Sequence, residues 1–446
     1  GHTRACGVAT VNTRLLFFGL FLILLLELLG LFSLMLMPGV SYKNLALYIL
    51  VIYLGLRTAM SPQGVRFRDL DVHAIFLTLL VYVFLTWAVS AALDPTYKSW
   101  RGFVAMKGQW VDYYLLLLIY RYGVQSLEDT IWLLKACTLT LLVITVPIFI
   151  DYVNMPDLGL FHSAGYRAKG LMREANQYGA FLVFFLPIAF GLLANFRPRP
   201  AWFWWLTMIL SAFMLLAAGS RGAWVAAIAG GFVATWYLRR YVNARAIFRI
   251  GGQSLLGLAI LVALAVVAFD LWFIVDQVLT YEKGIEDASS GRIDIWSAAL
   301  RVMLEWPLSF VVGYGWNTFG TSGIWKAAHS EYINALYELG AIGLVFVLAL
   351  FAVIVGRARA ALRFMPLELA RLQIAYIYAV VGVLVAVVFV EVPAVWSLFW
   401  IYAGLMMSVQ AHCKDTAAGT VPADAVAGPP PSDESYPLRS ASAYRR

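Results

Sequence analysis

The stretch His329-Ser-Glu-Tyr-Ile-Asn-Ala-Leu-Tyr-Glu-Leu-Gly340-Ala-Ile-Gly343-Leu-Val-Phe-Val-Leu-Ala-Leu350 begins polar and ends as an unbroken apolar run. A bilayer core about 30 Å thick needs roughly 20 apolar residues per helix, so the segment from 330 to 355 predicts a membrane helix entered from a polar loop. Working outward, further runs of this kind fall at approximately 15–37, 43–56, 72–92, 109–120, 130–150, 177–195, 201–218, 222–238, 253–272, 373–391 and 394–410. The second and fourth in chain order are short. Composition agrees: 62% of the 446 residues are hydrophobic and 13% charged, against about 25% charged in a soluble domain. These values exclude an ordinary soluble enzyme, a disordered chain and a soluble nucleic-acid binder.

The formal charge of +8 is first a matter of topology. With the N-terminus in the cytoplasm, most basic residues fall inside, as the positive-inside rule requires. The inside groups are Arg57, Arg66 and Arg68; Arg197 and Arg199; Arg239, Arg240, Arg245 and Arg249; and Arg357, Arg359, Arg363 and Arg371, together with Arg4, Arg14 and Arg121 and the tail residues Lys414, Arg439, Arg445 and Arg446. The expected architecture is an all-α polytopic membrane protein of about twelve transmembrane helices with one long periplasmic loop containing short helices. Helices one to nine occupy 1–272, the loop 273–329 and helices ten to twelve 330–410. A disordered cytoplasmic tail takes 411–446, since Pro429-Pro430-Pro431 and Ser-Asp-Glu-Ser cannot bury enough apolar surface to fold. The first span reads as a retained anchor, which leaves both termini cytoplasmic. Within the loop, Ser289-Ser290-Gly291 precede an amphipathic helix from Arg292 to about Leu304 that Pro307 ends. Cys6, Cys137 and Cys413 lie too far apart to suggest a disulfide framework or a zinc site.

A minority of cations falls on the outer side against the topogenic bias: Lys43, Lys98, Arg101, Lys107, Arg167, Lys169, Arg173, Arg221, Lys283, Arg292, Arg301 and Lys326. A polyanion at the outer face would give them a function. Several sit in suggestive contexts. In Gly219-Ser220-Arg221-Gly222, a planar guanidinium between small neighbours suits bidentate capture of phosphate oxygens, or it snorkels to lipid headgroups. Arg292, in the first turn of the loop helix, lies where backbone N–H groups favour an anion, although Asp294 is an available salt-bridge partner. The run Arg167-Ala-Lys169-Gly-Leu-Met-Arg173-Glu-Ala-Asn176-Gln177 reads as a ligand-facing loop or a solvated face. Lys98, Arg101 and Lys107, interleaved with Tyr97, Trp100 and Trp110, are interfacial anchors or guides for a lipid diphosphate.

The opening stretch carries the remaining chemistry. At 100° per residue Gly340 falls about 20° from His329 on a helical wheel, with Tyr332, Leu336 and Gly343 on the same side. The Gly-x-x-Gly spacing predicts close approach of another helix, which would hold this one rigid while His329 meets water. An imidazole there can act as general base on a hydroxyl, or it can solvate a helix end. His162, in an outer loop, is the one rival. The chain has no Gly-rich phosphate loop ending in Lys-Ser/Thr, no His-Glu-x-x-His and no Gly-x-Ser-x-Gly. Its outer carboxylates are scattered, whereas hard metal ions need them clustered, so arginine-based, metal-free chemistry fits better.

From His329 to Gly343 the sequence resembles the signature helix of the O-antigen ligase and polymerase superfamily. Arg173-Glu-Ala-Asn176-Gln177 ahead of a helix with Pro187, then Ser220-Arg221-Gly222, then Gly291-Arg292 with Trp296, follow in the family's order, and Gly313-Tyr-Gly315-Trp-Asn-Thr-Phe319 resembles the turn before the histidine. Positions 174–177 depart from the Asn-Pro-Asn-like turn common in the family. The resemblance spans roughly 165–390. It implies glycan transfer from an undecaprenyl-diphosphate donor to lipid A-core, at the periplasmic face of a bacterial inner membrane, with no cofactor. His329 would be the base, Arg221 and Arg292 would bind the diphosphate, and Arg167, Lys169, Arg173, Asn176, Tyr332, Arg101 and Lys107 would be further substrate contacts. A polymerase acting on another lipid-linked glycan and a protein O-oligosaccharyltransferase are the alternatives within the family. Outside it, a lipid-linked glycan transporter would need recurring polar residues deep in several spans, and only Glu27, Lys135 and Asp270 approach that.

Overall fold

A computed structural model describes residues 13–28, 35–37, 39–60, 68–124, 126–154, 162–163, 167–245, 291–321, 324 and 327–419, with isolated positions between 249 and 267. The helices are α1 (Thr13–Leu28), α2 (Tyr42–Met60), α3 (Leu70–Leu93), α4 (Ser99–Met106), α5 (Asp112–Tyr122), α6 (Leu127–Asn154), α7 (Ala175–Phe196), α8 (Ala201–Ala217), α9 (Arg221–Tyr237), α10 (Arg292–Glu305), α11 (Ser309–Val312), α12 (Glu331–Ala361), α13 (Leu367–Ala386) and α14 (Pro393–Ala417). Two short antiparallel hairpins complete the described structure: β1 (Met35–Met37) with β2 (Val40–Ser41), and β3 (His162–Ser163) with β4 (Arg167–Ala168). Backbone polar groups cannot be left unsatisfied in a bilayer, so the apolar runs fold as helices. Seven of them, α2, α3, α6, α7, α12, α13 and α14, are long and apolar enough to cross a membrane. Most of the ninth expected span, residues 273–290, 322, 323, 325 and 326 of the long loop and residues 420–446 of the tail lie outside the described residues.

Several boundaries differ from expectation. The span expected at 15–37 gives α1, which ends at Leu28, while Met35–Met37 form β1. The short span at 109–120 belongs to a continuous helical segment from Ser99 to Tyr122, in which a π turn at Lys107–Val111 joins α4 to α5. Lys107, Gly108 and Gln109 interrupt the apolar pattern there without breaking the backbone. The expected span 373–391 is α13, which starts six residues earlier and stops at Ala386, leaving Val387–Val392 as a connector before Pro393 opens α14. The tail expected from residue 411 begins later, because α14 continues to Ala417.

α14 is the central helix, buried almost continuously from Leu398 to Gln410. Glycine permits the tightest crossings: a Cβ on Gly230 of α9 would lie 2.6 Å from the Gly382 backbone of α13. One end of the bundle is laced by ion pairs. Arg121 meets Asp69 at 2.6 Å, Arg357 pairs with Asp69 and Asp71, Arg14 with Glu128 and Asp129, and Arg68 with Asp415. Arg14, Arg68, Arg121 and Arg357 are all cations that charge sorting placed on one side. Of those it placed opposite, Arg167 and Arg221 gather elsewhere around Arg292, which in turn neighbours His329.

The opening stretch is not one straight helix. Gly340 has φ 66° and ψ −172°, a left-handed conformation that interrupts α12. The carbonyls released upstream are met by the turn after α11: Tyr314 N–H donates to Tyr337 and Gly315 N–H to Glu338, each at 2.8 Å. The Tyr82 hydroxyl of α3 donates to Leu339 at 2.9 Å. A Cβ on Gly340 would lie 2.3 Å from the Val311 carbonyl oxygen, and one on Gly313 2.3 Å from that of Glu338. The partner that glycine admits is thus a turn, not the expected second helix. The wheel placing Gly340 under His329 fails for the same reason.

Candidate active site

His329 precedes the cap of α12. Ser330 is the N-cap, its hydroxyl accepting from Ile333 N–H at 3.4 Å, so His329 lies outside the helix in a left-handed conformation with φ 52°. Two contacts fix it. Its N–H donates to Glu391 Oε1 at 2.9 Å, from the connector between α13 and α14. The carbonyl of the preceding residue, Ala328, accepts from Trp296 Nε1 at 2.9 Å. Trp296 lies one turn along α10 from Arg292, so the same indole sets the arginine relative to the histidine.

Arg292 opens α10 directly after Gly291, whose φ of 73° favours glycine. Its guanidinium is held below its ordinary pKa by burial and by the like charges of Arg167 and Arg221, against the opposing pull of Glu174, yet an arginine remains protonated. Arg221 begins α9. Gly219, at φ 56°, leaves room for the Arg167 side chain, the Ser220 hydroxyl accepts from Ala223 N–H, and Gly222 lets the first turn pack on Phe389. Arg167 on β4 donates from Nε to the Ala218 carbonyl at 3.0 Å and from Nη2 to Asn176 Oδ1 at 2.6 Å. Three arginines from three separate elements are therefore in mutual electrostatic contact through Arg292. The clustering of like charge makes this a basin for an anion. Burial, then Arg292, holds the His329 imidazole below its ordinary pKa, with Glu174 working in the opposite direction. The ring is neutral at pH 7 and able to accept a proton.

The other expected site residues are placed differently. Asn176 positions Arg167. Lys169 is half-buried and Arg173 exposed, and neither is among the groups that perturb Arg292 or His329. Tyr332 donates its hydroxyl to the Leu384 carbonyl at 2.8 Å, tying α12 to α13. Lys107 belongs to another network, donating to the Gly39 carbonyl at 2.9 Å and pairing with Asp112 at 3.3 Å. Arg101 and Tyr332 line a cavity of about 220 Å³ behind Glu391, on which His329 and the three arginines do not open. His162 lies on β3, paired with Ala168. Sequence reasoning missed Glu391 and Glu174. Burial and the neighbouring Glu331 push the Glu391 carboxyl up to about 7. A lone carboxylate ending the run Val388-Phe-Val-Glu391-Val-Pro393 was the available signal, since an ionisable group in apolar sequence is costly.

Residues 206–348, which carry Arg221, Arg292, His329 and Gly340, match the family model described as O-antigen ligase. The match, over about a third of the chain, supports membership in the O-antigen ligase and polymerase superfamily. Members of that family are glycosyltransferase-like enzymes, and the seven long apolar helices of this chain are consistent with such a membrane protein. Arg167, Glu174 and Glu391 lie outside the matched segment and join the site through the fold alone. No curated protein matches the chain.

Proposed function

We propose that this superfamily member is a lipopolysaccharide O-antigen ligase, transferring glycan from undecaprenyl diphosphate to lipid A-core at the periplasmic face of the inner membrane. The observation that carries the reading is the arginine cluster centred on Arg292 beside a histidine kept neutral. An acceptor hydroxyl oxygen attacks the anomeric carbon in line, and its proton passes to His329. The bond from that carbon to the diphosphate breaks, and its electron pair leaves with undecaprenyl diphosphate. Arg221 and Arg292 stabilise the departing charge, so the reaction inverts the anomeric centre and needs no metal. Both termini are cytoplasmic in this reading, which places the arginine-rich ion-pair end in the cytoplasm.

Purified protein given an undecaprenyl-diphosphate glycan, with lipid A-core and a second lipid-linked glycan as competing acceptors, tests the proposal. Lipid A-core should become glycosylated. Elongation of the lipid-linked glycan instead would make the protein a polymerase. His329→Ala should abolish transfer, Arg221→Ala should weaken donor use without unfolding, and EDTA should leave the rate unchanged; loss of activity with EDTA would refute the metal-free mechanism.

A further inference from the structure

The cavity of about 220 Å³ takes no part in the transfer chemistry above. It lies between the α4–α5 segment, the turn at Trp316–Gly320, α12 and α14, and it shares Glu391 with the His329 site. Its walls combine aromatic faces with hydrogen-bonding groups. Trp110 and Trp316 meet edge to face with centroids 6.0 Å apart. Trp316 is locked, its indole donating to the Gly102 carbonyl at 3.1 Å and its own carbonyl accepting from the Tyr97 hydroxyl at 2.6 Å. Glu331, Glu338 and Glu391 each accept a loop N–H at Oε1, from Val392 at 2.8 Å, Phe319 at 3.1 Å and His329 at 2.9 Å, and Glu331 Oε1 also accepts from Trp396 Nε1 at 3.1 Å. A carboxyl has several hydrogen-bonding sites whether or not it is ionised, so each keeps capacity for a ligand. Gln109, Asn317 and Asn334 add amides. Trp110 Nε1 is a buried donor with no partner among the described residues, and such a group costs about 1–3 kcal/mol while unmet.

Charge separates the possible occupants. Three buried carboxyls and three amides make the cavity polar without a cluster of cations, whereas the basin around Arg292 is cationic, and the two meet at Glu391. A lipid diphosphate is drawn to the second and finds no such cluster in the first. An apolar chain has no use for carboxyls and amides. A pyranose matches both kinds of wall, since its C–H face stacks on an indole while its hydroxyls bridge to carboxylate and amide oxygens. We propose that this cavity is a saccharide subsite taking one neutral pyranose of the acceptor glycan, stacked on Trp110 or Trp316 and hydrogen-bonded by Asn334 and the carboxyls, with a free hydroxyl directed past Glu391 to His329. The word acceptor rests on the ligase reading; saccharide binding does not.

Saturation-transfer NMR on the full chain in detergent, without donor, tests binding directly. The probes are neutral methyl hexopyranosides of gluco, galacto and manno configuration and maltotriose. Saturation should reach the C–H protons of at least one of these sugars, and should be lost in Trp110→Ala and Asn334→Leu but kept in Arg221→Ala. Absence of transfer to all four probes overturns the subsite, as does signal that survives both cavity variants. Displacement of bound sugar by undecaprenol would assign the cavity to a lipid chain and also overturn it. Donor-induced thermal stabilisation confirms that each variant is folded, and Trp110→Phe, which removes the indole N–H but keeps a smaller aromatic face, replaces any that is not. In transfer assays Trp110→Phe and Asn334→Leu should raise the acceptor KM roughly tenfold with donor KM unchanged. Transfer with an unchanged acceptor KM in both variants would sink the subsite and leave the ligase standing. Sugar binding lost in the variants of a protein that never transfers glycan would do the reverse.

Discussion

At His329 the backbone and the side chain are under separate control. Glu391 and Trp296 hold the main chain on either side of a left-handed residue, a conformation that costs a non-glycine about 1–2 kcal/mol, and Arg292 with burial sets the protonation of the ring. As the proposed base the ring works only when neutral, so transfer should fall at acid pH, and the lowered pKa puts that fall below the range of an ordinary imidazole. Removing the like charge in Arg292→Ala raises the His329 pKa, so the acid limb of kcat/KM should move to higher pH. The position of the limb is the readout, because its height also reflects donor binding; an unmoved limb would count against the coupling. Glu391 contributes through the backbone. Glu391→Ala should lower kcat at least tenfold, whereas Glu391→Gln, which keeps an oxygen able to accept from His329 N–H, should restore most of it at neutral pH.

At the scale of elements, the crossing of the Gly313–Gly315 turn over Gly340 determines how α12 presents the residues before it. Gly340→Ala meets a positive φ and a carbonyl at 2.3 Å together. It should destabilise the protein by about 2 kcal/mol or more, read as a drop in thermal midpoint. Trp296→Phe keeps the ring but loses the bond to Ala328, and should lower kcat while the midpoint holds. These features bound what sequence could show. The apolar runs were legible because hydrocarbon thickness dictates their length, and Ser220-Arg221-Gly222 was legible because cap, cation and small residue are adjacent. The bend at Gly340 was not, since glycine is common in unbroken membrane helices. Nor was the bond from residue 391 to residue 329, because its two ends are brought together only by the packing of α12, α13 and α14.

For the whole molecule, the ion-pair end and the His329 end are distinct. Asp69 is buried with Arg121, and Arg357 closes on it from α12. Asp69→Asn leaves a buried guanidinium without its counter-charge and should cost about 3–5 kcal/mol in a thermal or denaturant titration, with transfer per folded molecule unchanged. A matching loss of turnover in the folded fraction would mean that the two ends are coupled. The partition at Glu391 has a consequence for inheritance. The cationic basin is encoded by residues 167–292, while the aromatic and polar cavity comes from the helical segment beginning at Ser99 and from residues 316–400. On the proposed assignments, recognition of what is given and of what receives is written in different parts of the gene. A chimera taking 99–122 and 316–400 from a homologue, and with them that homologue's counterparts of His329 and Glu391, should change its acceptor while keeping its donor, and such exchange is a route by which a lineage could follow a changing surface glycan without rebuilding its arginine basin.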